Sequence, residues 1–240
     1  EYPDDCIVDF DMRLIDLFKE MDKKKLTLKM QIRQEYYRVK ELLDGKRPSR
    51  MELFTYMDDE IYRICVSGSH AKENPFQHYL DFLYELDELS EDEQELYAGI
   101  GREFIQTIET TEMQKVYKMP ILYSFYNHGN IRLAVTDEKV LESWKEFFDT
   151  GTNWKDFPNV NTYEEYKKVT DKQHLSKAKR MPIRFLKASG KGFFVEKDGY
   201  ALALRDEIGD VVGNMAFGEQ MGDVLGYRSL EYYRRRYEKE

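Results

Sequence analysis

The sequence predicts a mainly α protein with small β-hairpins, an α+β fold of 240 residues. Through the first 110 residues, apolar side chains recur three and four positions apart, which is typical of helices with one buried face. Residues that cap helices stand before several of these segments, for example Ser90 three positions ahead of Glu93. Later in the chain, Asp198-Gly199 lies between two apolar runs, and this dipeptide is a strong short-range signal for a β-hairpin.

Helical segments account for the whole N-terminal half. Predicted helices cover Val8–Met21, a segment from Thr27 to Asp44, a short one from Ser49, and another over Asp58–Val66. Gly45 and the nearby Pro48 end the second of them, because Gly favours a left-handed stop and Pro cannot continue a helix.

Two further helices complete this half. Pro75 suits the first turn of one helix, and Ser90 begins a long helix that runs to about Glu109. We therefore place a helical domain at residues 1–115.

The C-terminal half mixes helices with strands. Met119-Pro120-Ile121 opens a short helix that ends at the polar turn 127–130, Ile131–Val135 alternates as a strand, and Thr136 caps the next helix. Met181-Pro182-Ile183 opens a similar unit 62 residues later, followed by the hairpin 193–204. The repeat of this pattern predicts an internal duplication.

Helices at about 163–179 and from Pro182 precede the hairpin 193–204, and this helix–helix–hairpin order is what a winged helix shows. We therefore predict a winged-helix-like α+β domain at residues 116–240. Winged helices bind DNA or other proteins, so this fold leaves the function open.

Charge is unevenly distributed along the chain, whose net charge is −9. The acidic segment, residues 81–112, contains eleven Asp and Glu against the single base Arg102. The basic segment, residues 162–197, contains ten Lys and Arg against four acids. Such asymmetry is typical of a nucleic-acid or acidic-partner surface, although a solvated helix face would give a similar pattern.

Bases also alternate with aromatic residues near the C-terminus, over residues 227–237. Arg beside Tyr can hold nucleic acid by charge and stacking, and the alternative is a helix with tyrosines packed inward and arginines outward. The candidate nucleic-acid-binding residues in the two regions are Lys172, His174, Lys177, Lys179, Arg180, Lys187, Lys191, Arg228, Arg234, Arg235 and Arg236.

Several functional classes lack a sequence signal. No apolar run approaches the 18 residues of a membrane span. The cysteines Cys6 and Cys65 form no disulfide or zinc pattern and fit a reducing, cytoplasmic setting. No phosphate-binding glycine loop, zinc-protease motif or serine-hydrolase motif occurs, so we expect no active site and no cofactor in this chain.

Several strings resemble the C-terminal region of bacterial superfamily 2 helicases, the DEAD/DEAH-box-like proteins related to restriction-enzyme helicase subunits. The strings that carry this resemblance are Tyr2-Pro3-Asp4-Asp5-Cys6-Ile7-Val8-Asp9-Phe10-Asp11, residues 119–133, Trp144-Lys145-Glu146-Phe147-Phe148, Asp171-Lys172-Gln173-His174-Leu175, Tyr227-Arg228 and residues 232–237.

The resemblance implies an accessory domain of an ATP-dependent translocase used in restriction or phage defence. ATP and Mg²⁺ would bind the helicase motor lobes of the same polypeptide, which this chain lacks. Since the chain begins with Glu1 rather than Met, we expect it to be cut from a longer protein.

Three functional hypotheses remain. The first is a non-catalytic domain that contacts DNA beside the motor lobes. The second is a protein-interaction or scaffold domain that docks a nuclease or other partner through the acidic segment. The third, an independent hydrolase or nuclease, has no motif in its favour.

Overall fold

A computed structural model describes residues 26–237, and these form two compact units. The N-terminal unit comprises residues up to 48 together with 52–74, and the C-terminal unit comprises residues 49–51 together with 75–237. Both are built mainly from helices, and the strands form small antiparallel sheets, which confirms the predicted mainly α class, while the winged-helix-like half stays a prediction. The predicted helix Val8–Met21 and Cys6 lie outside the described residues.

The predicted boundary between residues 115 and 116 does not coincide with this division. The helices between residues 79 and 110 share one buried core with the rest of the C-terminal unit, from Leu80 to Tyr232. The ring of Phe104 meets those of Phe193 and Phe217 edge to face in this core. Because these contacts join segments that are distant in sequence, local composition cannot locate the boundary.

Twelve α-helices and five strands are assigned among residues 26–237. In chain order they are α1 Leu28–Leu42, α2 Arg50–Tyr56, α3 Asp59–Cys65, α4 Tyr79–Glu85, α5 Glu91–Ala98, α6 Ile100–Thr110, α7 Lys118–Phe125, β1 Tyr126–Asn127, β2 Asn130–Ile131, β3 Ala134–Val135, α8 Asp137–Asp149, α9 Tyr163–Lys167, α10 Asp171–Ala178, α11 Arg184–Ser189, β4 Phe194–Val195, β5 Leu202–Leu204 and α12 Met215–Tyr237. Short 3-10 turns occur at Gly68–His70, Pro75–Gln77, Asn153–Asp156 and Asp206–Asp210, and a π-helical turn covers Lys179–Ile183.

Helix caps behave as the sequence predicts. The side chain of Thr27 accepts a hydrogen bond from Met30 N at the start of α1, and Gly45, with φ of +81°, follows its end. Ser90 and Glu93 form the reciprocal capping box of α5. The side chain of Thr136 accepts a hydrogen bond from Lys139 N at the start of α8. Each cap satisfies a backbone N–H that the helix itself leaves unpaired.

Two predicted helices are broken. The long helix expected from Ser90 to Glu109 divides at Gly99, whose backbone is extended, into α5 and α6. The helix expected over 163–179 divides into α9 and α10, since Thr170 starts a new helix with Gln173 in a capping box. Both breaks place a capping residue inside an apolar pattern that continues across it.

Two sheets belong to the C-terminal unit. Strands β1 and β2 form a two-stranded hairpin around His128 and Gly129, which both have positive φ, so the polar turn predicted there is confirmed. Strand β5 lies between β3 and β4 and is antiparallel to both, with Ala203 opposite Ala134 and Val195. The strand expected over residues 131–135 is thus shared between two sheets.

The two Met-Pro-Ile segments differ in local structure. The first lies in the regular helix α7, whereas the second lies in the π-helical turn between α10 and α11. In the interior of a regular helix a proline ring clashes with the carbonyl four residues earlier, and the wider π-helical turn relieves such a clash at Pro182. The predicted internal duplication stays a prediction.

Within the described residues, no helix has both the length and the apolar character needed to cross a membrane.

Candidate nucleic-acid interface and neighbouring cavities

The basic helix run, residues 171–189, presents much of the predicted interface. It consists of α10, the π-helical turn and α11. Lys172 and Arg180 are exposed on it, Lys177 is half-buried, and Lys191 is exposed just beyond its end. None of these four forms an ion pair with another residue in the range 26–237. Their charges are therefore available to an anionic ligand.

Two other predicted cations of this run are already paired. The ammonium of Lys179 lies 2.6 Å from a carboxylate oxygen of Asp137, and Lys187 pairs with Glu196. Both pairs are on the surface, where such contacts are weak and screened by salt. They reduce the positive charge of the run without removing it.

His174 is also on α10, but its side chain faces the core and is 3% exposed. Its ring packs against Phe157 and Tyr166 at centroid distances of 4.9 and 5.6 Å. Burial lowers the pKa of His174, with a further lowering by Lys145. A neutral, enclosed imidazole cannot contact a phosphate, so His174 is removed from the predicted interface.

Burial also removes Arg228 from the predicted interface. It is 8% exposed on α12 and donates to the backbone carbonyl of Thr111. Burial lowers the pKa of its guanidinium. Sequence alternation of Arg and Tyr did not reveal which way this side chain turns.

The last three arginines of α12 serve mainly structural contacts. Arg235 pairs with Glu231 one turn earlier, and Arg236 pairs with the buried carboxylate of Asp156. Arg234 is half-buried and also has an interaction partner. Of the tyrosines in this segment, Tyr227 and Tyr232 are buried, whereas Tyr237 is 46% exposed. The alternative prediction of inward tyrosines therefore holds for Tyr227 and Tyr232 but not for Tyr237.

A cavity of about 460 Å³ opens beside the basic helix run. Met181, Pro182 and Phe185 form its apolar wall together with Tyr117. Polar side chains of α6 and the segment after it complete the opposite wall, namely Thr107, Thr110, Thr111, Glu112, Gln114 and Lys115. Lys118, Ser189 and Lys191 also line it. The cavity therefore combines an apolar wall with a lining of three lysines and one carboxylate.

Sequence reasoning missed Met181 and Phe185. Each is 43% exposed although both are large and apolar. Residues four apart lie on the same face of a helix, and each of these two directly follows an exposed arginine in sequence. This spacing is the sequence signal that could have indicated an apolar pair on the outer face. Arg184, also exposed, places its guanidinium carbon 5.2 Å from the centre of the Phe185 ring.

A second cavity, of about 490 Å³, lies between α7, the β1–β2 hairpin and α8. Arg132 lines it and donates to the carbonyls of Ser124 and Tyr126, while Lys139 and Glu142 pair with each other at 2.5 Å. Opposite charges in its wall largely cancel. The cavity therefore favours no particular charge of ligand.

An ion cluster is buried in the C-terminal unit around Arg50. Its guanidinium lies 2.6 Å from Glu109 and 2.9 Å from Asp223, and its side chain is fully enclosed. Gln220 links this cluster to Glu93 through a hydrogen bond of 2.8 Å. Because Arg50 and Glu109 are enclosed and each has a partner of opposite charge, the cluster is suited to stabilise packing.

Two features bear on reactive chemistry among residues 26–237: the placement of possible metal ligands and the state of the Cys65 thiol. No three of the described His, Cys, Asp and Glu side chains are placed to hold a metal ion. Cys65 is buried, and desolvation raises the pKa of its thiol to about 12. A thiol in that state is a poor nucleophile.

The acidic segment carries a stack of exposed rings. Tyr84, 59% exposed, stacks on Tyr97 with 4.6 Å between ring centroids. The guanidinium carbon of Arg102 lies 4.5 Å from the other ring in this stack, that of Tyr97. Arg102 also pairs with Asp81, so the stack is tied to the surrounding carboxylates.

Comparison with protein-family models, with curated proteins and with solved structures finds no match to this chain.

Proposed function

We propose that the chain is a DNA-contacting domain whose C-terminal unit contains a winged-helix-like module. The order of elements supports this module: α7, β3, α8, the basic helix run, β4 and β5, with β5 between the other two strands. In such a module the helix before the hairpin enters or follows a groove, and the hairpin lies beside it. Here that helix is the basic helix run.

The observation that carries the proposal is the group of unpaired bases on this helix. Lys172, Lys177 and Arg180 on the run, and Lys191 just beyond it, have no carboxylate partner among residues 26–237, whereas Lys179 and Lys187 are partly neutralised. Contacts to phosphates depend on local cations rather than on the net charge of the chain. A net charge of −9 is therefore compatible with DNA binding.

The sequence resemblance to superfamily 2 helicases suggests the setting of this domain. The chain is then a non-catalytic accessory domain that holds DNA beside the motor lobes of an ATP-dependent helicase or translocase. ATP and Mg²⁺ act in those lobes, and no residue of this chain is assigned to their binding.

Fluorescence anisotropy with a labelled duplex tests the proposal. We expect binding at low salt. In a plot of the logarithm of the association constant against the logarithm of the salt concentration, the slope should be about −0.9 for each phosphate that the protein neutralises. Charge reversal at all four unpaired bases (Lys172→Glu, Lys177→Glu, Arg180→Glu and Lys191→Glu) is expected to remove most of this slope.

A matched control carries the same change in charge on the N-terminal unit, at Lys29, Arg33, Lys46 and Lys72. It is expected to lower affinity only slightly, because none of these four residues belongs to the basic helix run to which the phosphate contacts are assigned. Absence of DNA binding by the wild-type chain at low salt, or equal loss in both variants, would contradict the proposal.

A second candidate function is docking of a basic protein segment on the acidic segment. The exposed ring of Tyr84 among carboxylates favours it, because cations bind aromatic faces and acidic surroundings together. A pull-down with a Lys/Arg-rich peptide tests this function. Glu91→Lys with Glu95→Lys should release such a partner while leaving DNA binding intact.

A further inference from the structure

We propose that the cavity beside Phe185 accepts an unpaired nucleobase, so that the domain binds single-stranded DNA, or the single-stranded part of a junction, in preference to an intact duplex. This inference rests on the proposed DNA-binding function. It names the form of DNA that the same surface recognises.

The π-helical turn creates the platform. A π-turn inserts an extra residue into a helix, and such turns are frequent at functional sites. Here it covers Lys179–Ile183 and brings Met181 to the surface one turn before Phe185. Pro182 and Ile183 on the same turn are buried, so the turn is anchored while its outer apolar pair stays open.

The apolar pair is placed where a base could stack. Every nucleobase has a π-face, and stacking on an aromatic side chain strengthens binding roughly 5- to 150-fold per base. The guanidinium of Arg184 lies beside the Phe185 ring and supplies a cation at the same point. Pro182 and Tyr117 extend the apolar wall around the cavity.

Three lysines outnumber the single carboxylate, Glu112, in the lining of this cavity. Lys191 is exposed and unpaired, and Lys115 is 53% exposed at 3.9 Å from Asp156. The Lys118 ammonium already donates hydrogen bonds to Thr111 Oγ1 and to the carbonyl of Glu112, each at 2.9 Å. It therefore contributes positive charge near the cavity but does not offer a free hydrogen-bond donor. An occupant that combines a flat apolar ring with negative charge fits these walls better than a neutral or cationic one.

A paired duplex cannot use the platform, because its bases are stacked and closed off from a side chain beside the groove. Single-stranded DNA presents bases and phosphates together. The volume of about 460 Å³ accommodates one base with its sugar.

The test compares Phe185→Ala and Met181→Ala with the wild-type chain, using a labelled 15-nucleotide single strand and a hairpin duplex. Both residues are exposed, so these variants are expected to keep the wild-type thermal unfolding temperature. Single-strand affinity should fall at least 5-fold in Phe185→Ala, and duplex affinity should change less than 2-fold. Tyr84→Ala, which removes an exposed ring from the acidic segment, is the matched control and should change neither.

Two further measurements separate stacking from charge. Phe185→Trp should keep single-strand affinity, and its added indole emission should be quenched when the strand binds. A strand of abasic residues, which keeps the phosphates and loses the bases, should bind the wild-type chain at least 5-fold more weakly than the 15-mer.

The inference is overturned if the abasic strand binds equally well, or if Phe185→Ala weakens single strand and duplex to the same degree. Either result leaves the proposed function standing, since binding to phosphates persists. If the wild-type chain binds neither DNA, the proposed function itself fails. If an acidic peptide binds the cavity and the single strand does not displace it, the inference is likewise overturned, in favour of a protein partner.

Discussion

Arg50 is the most deeply buried charge in the C-terminal unit, and its removal should be costly. Arg50→Met leaves Glu109, which is 2% exposed, without its 2.6 Å partner. Breaking one side of a buried pair typically costs about 3–5 kcal/mol, because the remaining charge stays buried. Urea unfolding followed by tryptophan emission measures this loss, since Trp144 and Trp154 both belong to the C-terminal unit.

The double variant Arg50→Met with Glu109→Gln separates the ion pair from the packing. Burial raises the pKa of Glu109, while Arg50 opposes that rise. Without a charge at position 109, loss of Arg50 should cost clearly less than it does in the wild-type background. Strict additivity of the two single effects would show that the pair is not coupled.

His174 should make the stability of the fold depend on pH. Its pKa is lowered by burial and by Lys145, while Asp149 and Asp171 act in the opposite direction. Below pH 6.5 the unfolded chain binds a proton that the folded imidazole resists, so stability falls as the pH drops toward the lowered folded-state pKa.

Replacement of this imidazole should flatten that dependence. Between pH 7 and pH 5.5, the free energy of unfolding should fall more for wild type than for His174→Phe. Because a single group titrates, the difference between the two proteins should grow by at most about 1.4 kcal/mol per pH unit. Parallel pH dependences in the two proteins would mean that His174 titrates alike in the folded and unfolded chains.

For the candidate nucleic-acid-binding residues, the sequence indicated the charge of each segment but not whether each side chain faces the surface or the core. The run from Lys172 to Lys191 was identified as basic, and unpaired cations of that run do lie on the surface. Arg228 and His174 occur in equally basic surroundings, yet both are buried by contacts with distant segments. Which face of a helix turns inward depends on its tertiary partners, and these are not encoded in local charge.

At the scale of elements, α12 depends on a glycine at one position. A Cβ on Gly218 would lie 1.7 Å from the carbonyl oxygen of Gly129 in the β1–β2 turn. Backbone on both sides leaves nothing flexible to move, so Gly218→Ala must separate the helix from the hairpin. We expect a loss of more than 2 kcal/mol, as for an overpacked core site.

Gly213→Ala is the control for that substitution. Gly213 lies just before α12, and a Cβ there meets no atom within 4 Å. This variant should be neutral or slightly more stable, because Ala restricts the unfolded chain more than Gly does. Thermal unfolding midpoints of the two variants test this prediction. Equal midpoints would show that the contact between α12 and the β1–β2 hairpin accommodates the added methyl group without loss of stability.

Helix ends were predicted correctly where the sequence signal is local, and they were missed where the signal depends on distant segments. Thr27, Ser90 and Thr136 cap helices as expected, since capping involves residues two or three positions away. The break at Gly99 escaped prediction because the apolar pattern runs through it. The π-helical turn escaped as well, and with it the exposed platform of Met181 and Phe185.

For the whole molecule, the mainly helical class follows from the sequence, but the extent of the core does not. Helices α4–α6 carry the most acidic part of the chain, yet their apolar faces join the same core as the basic helix run. Charge composition changes near residue 115, whereas packing continues across it. A division of the chain by composition therefore separates segments that fold together.

The acidic helices of the C-terminal unit should also oppose DNA binding through the net charge of −9. Replacing Glu85, Asp87 and Glu95 by their amides removes three negative charges from exposed positions and leaves the basic helix run unchanged. At about 0.01 M salt the Debye length is about 30 Å, so reduced repulsion should raise duplex affinity several-fold. At about 0.3 M salt the same variant should bind like wild type, because the long-range term is screened. Anisotropy titrations at both salts measure this difference, and a gain that persists at high salt would instead place those carboxylates in direct contact with the DNA.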